Sequence, residues 1–262
     1  MSDVGTYLYA VAMERDSAAT QGLTGVAGRA VQAIPHAGLV AYVSAVPLTE
    51  FGEEPLRQSL EDLDWLGETA RAHHRVVAAV AAKAPIAPVR LVTIYNDEAQ
   101  VRTLLERRHE AFMEVLAQIA DRQEWGVKVY VPPPDDRPAQ ESAAGGGPGA
   151  AYLKKRQAGL HNREEAWRRA IARAELIHKT LESLAEASHL HRPQDPQLSG
   201  REDWMVLNGA YLVDEERGQE FGQVVERLRG EGVDLELTGP WAPYSFTTSV
   251  EAGAEGEQDD RR

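Results

Sequence analysis

The sequence contains no cysteine. Disulfides, thiolate metal centres and cysteine nucleophiles are thereby excluded, and a reducing cytosol is the default compartment. Aromatic residues make up only 6% of the chain. No stretch approaches the roughly 20 apolar residues of a membrane helix. The opening MSDVGTYLYAVAMERD lacks the basic and long apolar regions of a signal peptide. The glycines of GLTGVAG (Gly22, Gly25, Gly28) lack the Lys-Ser/Thr of a phosphate-binding loop and read as a flexible loop. Neither a G-x-S-x-G elbow nor an H-E-x-x-H pair occurs. Bases are scarce: 28 against 41 acids, a net charge of −13. An acidic surface repels phosphate backbones, so nucleic acid is not expected as a partner.

What remains is enough for 262 residues of folded protein, 43% of them apolar. Thr6–Met13 is aromatic and β-branched enough for a strand. Ala30–Ile34 and Leu39–Val46, around Pro35-His-Ala-Gly38, read as a hairpin. Leu56, Leu60, Leu63, Ala70, Val77 and Val80 recur at helical steps, predicting one long helix to Lys83. Ile86–Tyr95 reads as a strand. Asn96 or Asp97 caps a helix whose buried stripe runs from Val101 to Ile119. Trp125, Val127, Val129 and Val131 alternate as a strand. A long helix follows, from Tyr152 to about Ser188, with Leu160, Trp167, Ile171, Ala174, His178 and Leu181 on one face. Strands at His189–His191 and Trp204–Val213, a helix from Asp214, and a strand through Val233, Leu235 and Leu237 complete the pattern.

From Glu124 onward the order is β-α-β-β-α-β, the pattern of a ferredoxin-like sheet. The expected class is therefore α+β with two domains. Residues 1–122 form a first domain of related arrangement, and 123–250 a modified ferredoxin-like domain with long helices. Residues 132–150, rich in Pro and Gly, read as a disordered insertion within it, and 251–262 as an acidic disordered tail.

Candidate chemistry is sparse. Adjacent His73 and His74 point about 100° apart on a helix and do not converge. His189 and His191 share a strand face, with His178 as a possible third ligand. Without patterned carboxylates, a strand end and a polar helix position explain them better, and no metal is expected. The pairs Asp62/Asp64 and Glu164/Glu165 fit solvated helix faces. Residues 153–173 hold seven bases (Lys154, Lys155, Arg156, Arg163, Arg168, Arg169, Arg173) against two acids, whereas 201–262 hold six against fifteen. The basic run reads either as a solvated face docked on the acidic half of its own domain or as a surface for an acidic partner. Trp241, Tyr244 and Phe246, punctuated by prolines, read either as a rigid chain end packing its rings on the domain or as interface anchors.

Several segments together resemble a family. Gly239-Pro-Trp-Ala-Pro-Tyr-Ser-Phe246 is similar to the G-P-W-P-P-Y-S-F ending of the gas vesicle protein F/L family. Tyr7-Leu-Tyr-Ala-Val11, Leu39-Val-Ala-Tyr-Val-Ser-x-Val-Pro47 with Phe51, Trp65-Leu with Ala70-Arg-Ala-His73, Glu124-Trp-Gly-Val-Lys-Val-Tyr-Val131 and Tyr152-Leu-Lys-Lys-Arg156 follow in the family order. One departure stands out: Val92, in Pro88-Val-Arg-Leu-Val-Thr-Ile-Tyr95, replaces a family Gly. The resemblance implies a non-enzymatic accessory or minor structural protein of gas vesicles, the hollow protein-walled flotation organelles of prokaryotes. It implies a location in the cytoplasm and at the vesicle. The implied partners are the small hydrophobic shell protein and other gas vesicle accessory proteins, with no cofactor, small-molecule substrate or membrane. The partner-binding candidates are Lys154, Lys155, Arg156, Arg168, Arg169, Trp241, Tyr244 and Phe246. The alternatives are an enzyme on a ferredoxin-like scaffold and an oligomeric scaffold of the vesicle wall.

Placing residues 132–150 inside a domain has a measurable consequence. Limited proteolysis is expected to nick there while the two pieces stay associated through the sheet. Separation into two folded fragments on sizing would make the stretch a linker instead.

Overall fold

A computed structural model describes residues 4–16, 18, 20–132, 148–194, 201, 203–230 and 232–247, without the side chains of 148–160 and 162. The proposed insertion (but for Pro132 and the backbone of 148–150) and the tail lie outside the described residues. The fold is mixed α/β with two sheets. The chain forms two compact units: Met1–Glu124 with Pro240–Arg262, and Trp125–Gly239. Residues 240–247, expected in the second domain, thus belong to the first unit.

In unit 1, β1 (Val4–Met13), β2 (Gln32–His36), β3 (Leu39–Pro47) and β4 (Ile86–Pro88) lie in the order β2-β3-β1-β4, with β5 (Ile94–Tyr95) also on β1. These pairings are antiparallel. Positive φ at Ala37 (52°) and Gly38 (77°) closes the β2–β3 hairpin in the mirror-image turn that matches strand twist. From Gly5 to Ala12, β1 is buried without alternation, as a strand covered on both faces must be. Its register with β3 shifts between Leu8 and Ala10. This bulge lets Tyr7, Tyr9, Ala10 and Ala12 all join one core cluster, because the extra residue switches side-chain parity.

That cluster is closed by Ala72, Val76, Val77 and Val80 of α3 (Leu63–Ala81). The expected single helix from Leu56 is broken. Leu48–Phe51 forms α1, Glu53–Ser59 forms α2, and α3 starts afresh after Asp62, whose carboxylate accepts the N–H groups of Asp64 and Trp65. The break resets the helical phase, so Leu63 is 80% exposed instead of facing the core. The next helix also breaks, at Arg108, into α4 (Glu98–Arg107) and α5 (His109–Ile119). Asp97 caps α4 through the Gln100 N–H. Val101, Leu105, Phe112, Val115, Leu116 and Ile119 are buried and cover the sheet face that α3 leaves.

The strand expected over Ile86–Tyr95 is interrupted. β4 and β5 each pair with β1 on either side of a turn at Arg90–Thr93. Val92 sits there at φ 58°, where a β-branched residue costs roughly 1–2 kcal/mol. The family Gly would fit this conformation freely. Val92 is held by its N–H bond to the Tyr7 hydroxyl, 3.0 Å, and by packing on the core.

Unit 2 is built on β6 (Arg122–Val131), α6 (Pro148–Glu182), β7 (Ala187–Leu190), β8 (Trp204–Asp214), α7 (Gly218–Leu228) and β9 (Asp234–Trp241). A 3-10 turn at Glu215–Arg217 precedes α7, which begins later than expected at Asp214. The strand order is β7-β8-β6-β9. Ala174, Ile177 and Leu181 of α6 and Phe221 and Val225 of α7 pack with Val127, Val129, Leu207, Tyr211, Val213 and Leu235. Positive φ at Gly230 (101°) and Gly232 (79°) ends the helical run and turns the chain into β9.

Buried tyrosines tie loops to the sheet of unit 1. The Tyr9 hydroxyl donates to Ser44 Oγ (3.0 Å) and accepts the Val26 N–H (2.8 Å). Ser44 Oγ donates in turn to the Ala30 carbonyl, and the Tyr42 hydroxyl accepts the Ala18 N–H. Gly25 passes so close that an added Cβ would overlap the Tyr9 hydroxyl and lie 2.9 Å from Ser44 Oγ. Gly25→Ala is expected to destabilise the protein by about 1–3 kcal/mol, as overpacking does. Urea unfolding measures this, and a change below about 0.5 kcal/mol would mean the loop is not clamped.

Candidate functional site

The basic run falls on α6. For Lys154, Lys155 and Arg156 only the backbone is described. Arg168 and Arg169 are exposed, and Arg168 Nε donates weakly to the Glu164 carbonyl (3.4 Å) within its own helix. Arg173 reaches the Leu228 carbonyl at the end of α7 (3.1 Å). A cation there suits the negative end of the helix dipole. One contact with the acidic half of the domain thus runs through a backbone carbonyl. Beside these residues lies a groove of about 250 Å³ between α6, the end of β6, the start of β8 and the Gly232–Val233 turn. Trp167 and Trp204 line it edge to face, ring centroids 5.2 Å apart, and the Arg163 guanidinium lies 6.0 Å over Trp204. Trp204 carried no functional signal in the sequence, because only the fold brings the start of β8 beside α6.

The aromatic chain end belongs to unit 1, and burial sorts its rings. Tyr244 packs on the core around Tyr7 and Tyr9. Its hydroxyl pKa is pushed up by burial and by the nearby Glu124 charge. Phe246 is half-buried, whereas Trp241 is 45% exposed and stacks edgewise on His74 at 5.5 Å. Glu124 is 9% exposed and grips Ser245 twice, accepting its N–H (2.8 Å) and its hydroxyl (2.7 Å). Thr247 is buried, and its one hydroxyl hydrogen is shared between the Pro88 (2.9 Å) and Tyr244 (3.1 Å) carbonyls. Tyr244, Ser245 and Thr247 are therefore a latch, and Trp241 is the ring of this segment most available to a partner. Glu124 could not be identified from sequence, because its partner is 121 residues away.

Each unit also pairs a buried strand tyrosine with a histidine of its long helix. Tyr7 Oη lies 3.0 Å from His73 Nδ1, and Tyr211 Oη lies 3.0 Å from His178 Nδ1. Tyr7 Oη accepts the Val92 N–H, so its proton is free to go to His73. His73 is 3% exposed, between Tyr7, Tyr9 and Tyr244. Burial lowers its pKa from 6.5 to about 4; the Val89 carbonyl opposes this and His74 adds to it. Its Nε2 is buried without a hydrogen bond of good geometry. His189 and His191 do lie side by side, rings 4.8 Å apart. His178, the third ligand considered, is engaged with Tyr211 and Glu182. Among the described residues no three potential ligands converge on a metal position, and no helix is long and apolar enough to cross a membrane.

This geometry describes a two-unit α+β protein whose prominent features are surfaces and a latched chain end. Its relatives make the class specific. The profile of the family described as "Gas vesicle synthesis protein GvpL/GvpF" matches residues 5–248. The chain belongs to that gas vesicle family. It is 42% identical over 250 residues to gas vesicle protein L of Streptomyces sp. (strain CB03234), covering 94% of this chain and 93% of that one. Gas vesicle protein L1 of Halobacterium salinarum is 26% identical over 265 residues, covering 94% and 91%. The fold is similar to the crystal structure of GvpF from Anabaena sp. PCC7120, with a TM-score of 0.64, 19% identity and coverage of 93% and 96%. It is likewise similar to GvpF from Microcystis aeruginosa, with a TM-score of 0.63, 18% identity and coverage of 93% and 98%.

The buried neutral His73 makes stability depend on pH. Its folded pKa lies below the unfolded value, so the unfolded chain takes up the proton first as pH falls. The stabilisation is complete above about pH 6.5 and is lost on descending to about pH 4, by up to about 3 kcal/mol. Urea midpoints across this range are expected to fall for the native protein and to flatten in His73→Gln. An equally steep fall in the variant would place the titrating group elsewhere.

Proposed function

We propose that this chain is a gas vesicle accessory protein that binds the hydrophobic shell protein and assists vesicle assembly. It acts as an adaptor, not an enzyme, in the cytoplasm and at the vesicle. The observation that carries this reading is the family match over residues 5–248, which spans both units and the latch. The order β-α-β-β-α-β with strands β7-β8-β6-β9 supports reading residues 123–239 as ferredoxin-like.

A subunit that polymerises through apolar surface needs cover before assembly. An adaptor can supply an apolar patch or a sheet edge. In unit 1, Pro35 and Pro88 sit in the edge strands β2 and β4 and blunt them. In unit 2 the edge strand β7 carries no proline and exposes Leu190 (53%). Trp241 and Leu63 add exposed apolar area in unit 1. The net charge of −13 favours solubility of the complex.

Shell-protein capture is therefore expected to rest on apolar contact and to survive high salt, since burial at about 25 cal/mol per Å² is not screened. A contact through Arg168 and Arg169 would weaken instead, because exposed charges beyond about 8 Å are screened at physiological ionic strength. A pull-down of co-expressed shell protein at low and high salt, with Arg168→Glu/Arg169→Glu alongside, decides between them. Capture lost both to salt and to the folded double variant would make the basic helix the docking site. Failure to capture the shell protein under any condition would remove the adaptor reading.

A further inference from the structure

The groove on unit 2 has a different chemistry from the apolar contact argued above. Its walls combine Trp167, 41% exposed, and Trp204 with Val131 and Val233. Arg169 and Arg173 line it, Arg163 reaches over Trp204, and no acidic residue is among the described lining residues. Arg163 and Arg169 make no ion pair among the described residues. In a chain of net charge −13, this is a local concentration of guanidinium groups around an aromatic floor. The field there favours an anion even though the whole molecule does not.

We propose that this groove docks an acidic peptide segment carrying an apolar side chain, presented by a protein partner other than the shell protein. Planar guanidinium groups engage carboxylates in paired hydrogen bonds, which suits them to Asp and Glu. Exposed Trp beside Arg is the pairing that dominates energetically decisive interface positions. The volume, about 250 Å³, falls below the usual range for a drug-sized ligand and accommodates one or two side chains. The apolar side chain rests on the tryptophan pair, and the flanking carboxylates meet Arg163 and Arg169.

The test uses the full-length protein and a fluorescently labelled synthetic peptide with a central Leu-Phe pair flanked by Asp and Glu on both sides. Anisotropy is expected to show binding that weakens at least about tenfold from low to high salt. The same peptide with Lys in place of the acids is expected not to bind. Arg169→Glu and Trp167→Ala, both at exposed positions, are each expected to cost about tenfold or more. Shell-protein capture is expected to be unchanged in Trp167→Ala. Peptide affinity that ignores salt and both variants would overturn the proposal, as would equal binding of a single-stranded oligonucleotide. A gain of about tenfold on deleting residues 251–262 would assign the groove to the chain's own acidic tail. A concentration-dependent dimer abolished by Arg169→Glu would assign it to a second copy. Loss of shell-protein capture in folded Trp167→Ala would make the groove the shell site itself, overturning the separate partner but not the adaptor role.

Discussion

Burying a tyrosine on a central strand brings a hydroxyl into a place without water, and that hydroxyl must find a partner. Unit 1 buries Tyr7, Tyr9 and Tyr42 completely, and much of its architecture answers this demand. Tyr7 holds the Val92 turn and His73, Tyr9 holds the Val26 loop and Ser44, and Tyr42 holds Ala18. Irregular loops are thereby fixed to a regular sheet by single side chains. Unit 2 repeats the device with Tyr211 and His178. The energetic asymmetry of hydrogen bonding explains the economy. A made bond contributes about 1 kcal/mol, but an orphaned buried hydroxyl costs about 1–3.

The same physics governs the chain end. After unit 2 the chain rejoins unit 1 at Pro240. Glu124 stands near the exit point, and its carboxylate accepts both polar hydrogens that Ser245 offers. Tyr244 adds its ring to the core, and Thr247 seals the Pro88 carbonyl. The segment most similar to the family's C-terminal motif is thus largely spent on folding. Of its three rings, Trp241 is the one left substantially exposed.

Among the described residues several exposed apolar side chains have distinct settings: Leu63 on the first turn of α3, Leu190 on an edge strand, Trp167 in a groove. The arginines of α6 divide in a similar way. Arg173 is committed to the Leu228 carbonyl, whereas Arg168 and Arg169 stand in solvent. Exposure and commitment, not residue type, separate what is available to a partner from what holds the fold.

The sequence by itself determined the mixed α/β element order, most strands, a helix cap at Asn96 or Asp97 and a turn within Pro35–Gly38. These rest on local periodicity, capping and turn chemistry, which neighbours along the chain decide. It also carried the family, because Tyr7, Trp65, Glu124 and the 239–246 motif are spaced along the whole chain. The breaks at Asp62, Arg108 and Val92 were not read from the sequence, since apolar periodicity continues across them, although Asp62 caps α3 through a local side-chain contact. The candidate site was legible as residue types, a basic helix and an aromatic end, but not as geometry. Burial sorted Tyr244 from Trp241, and the fold brought Trp204 to Trp167 and Ser245 to Glu124. Such pairings join residues tens to more than a hundred positions apart, and no local signal encodes them.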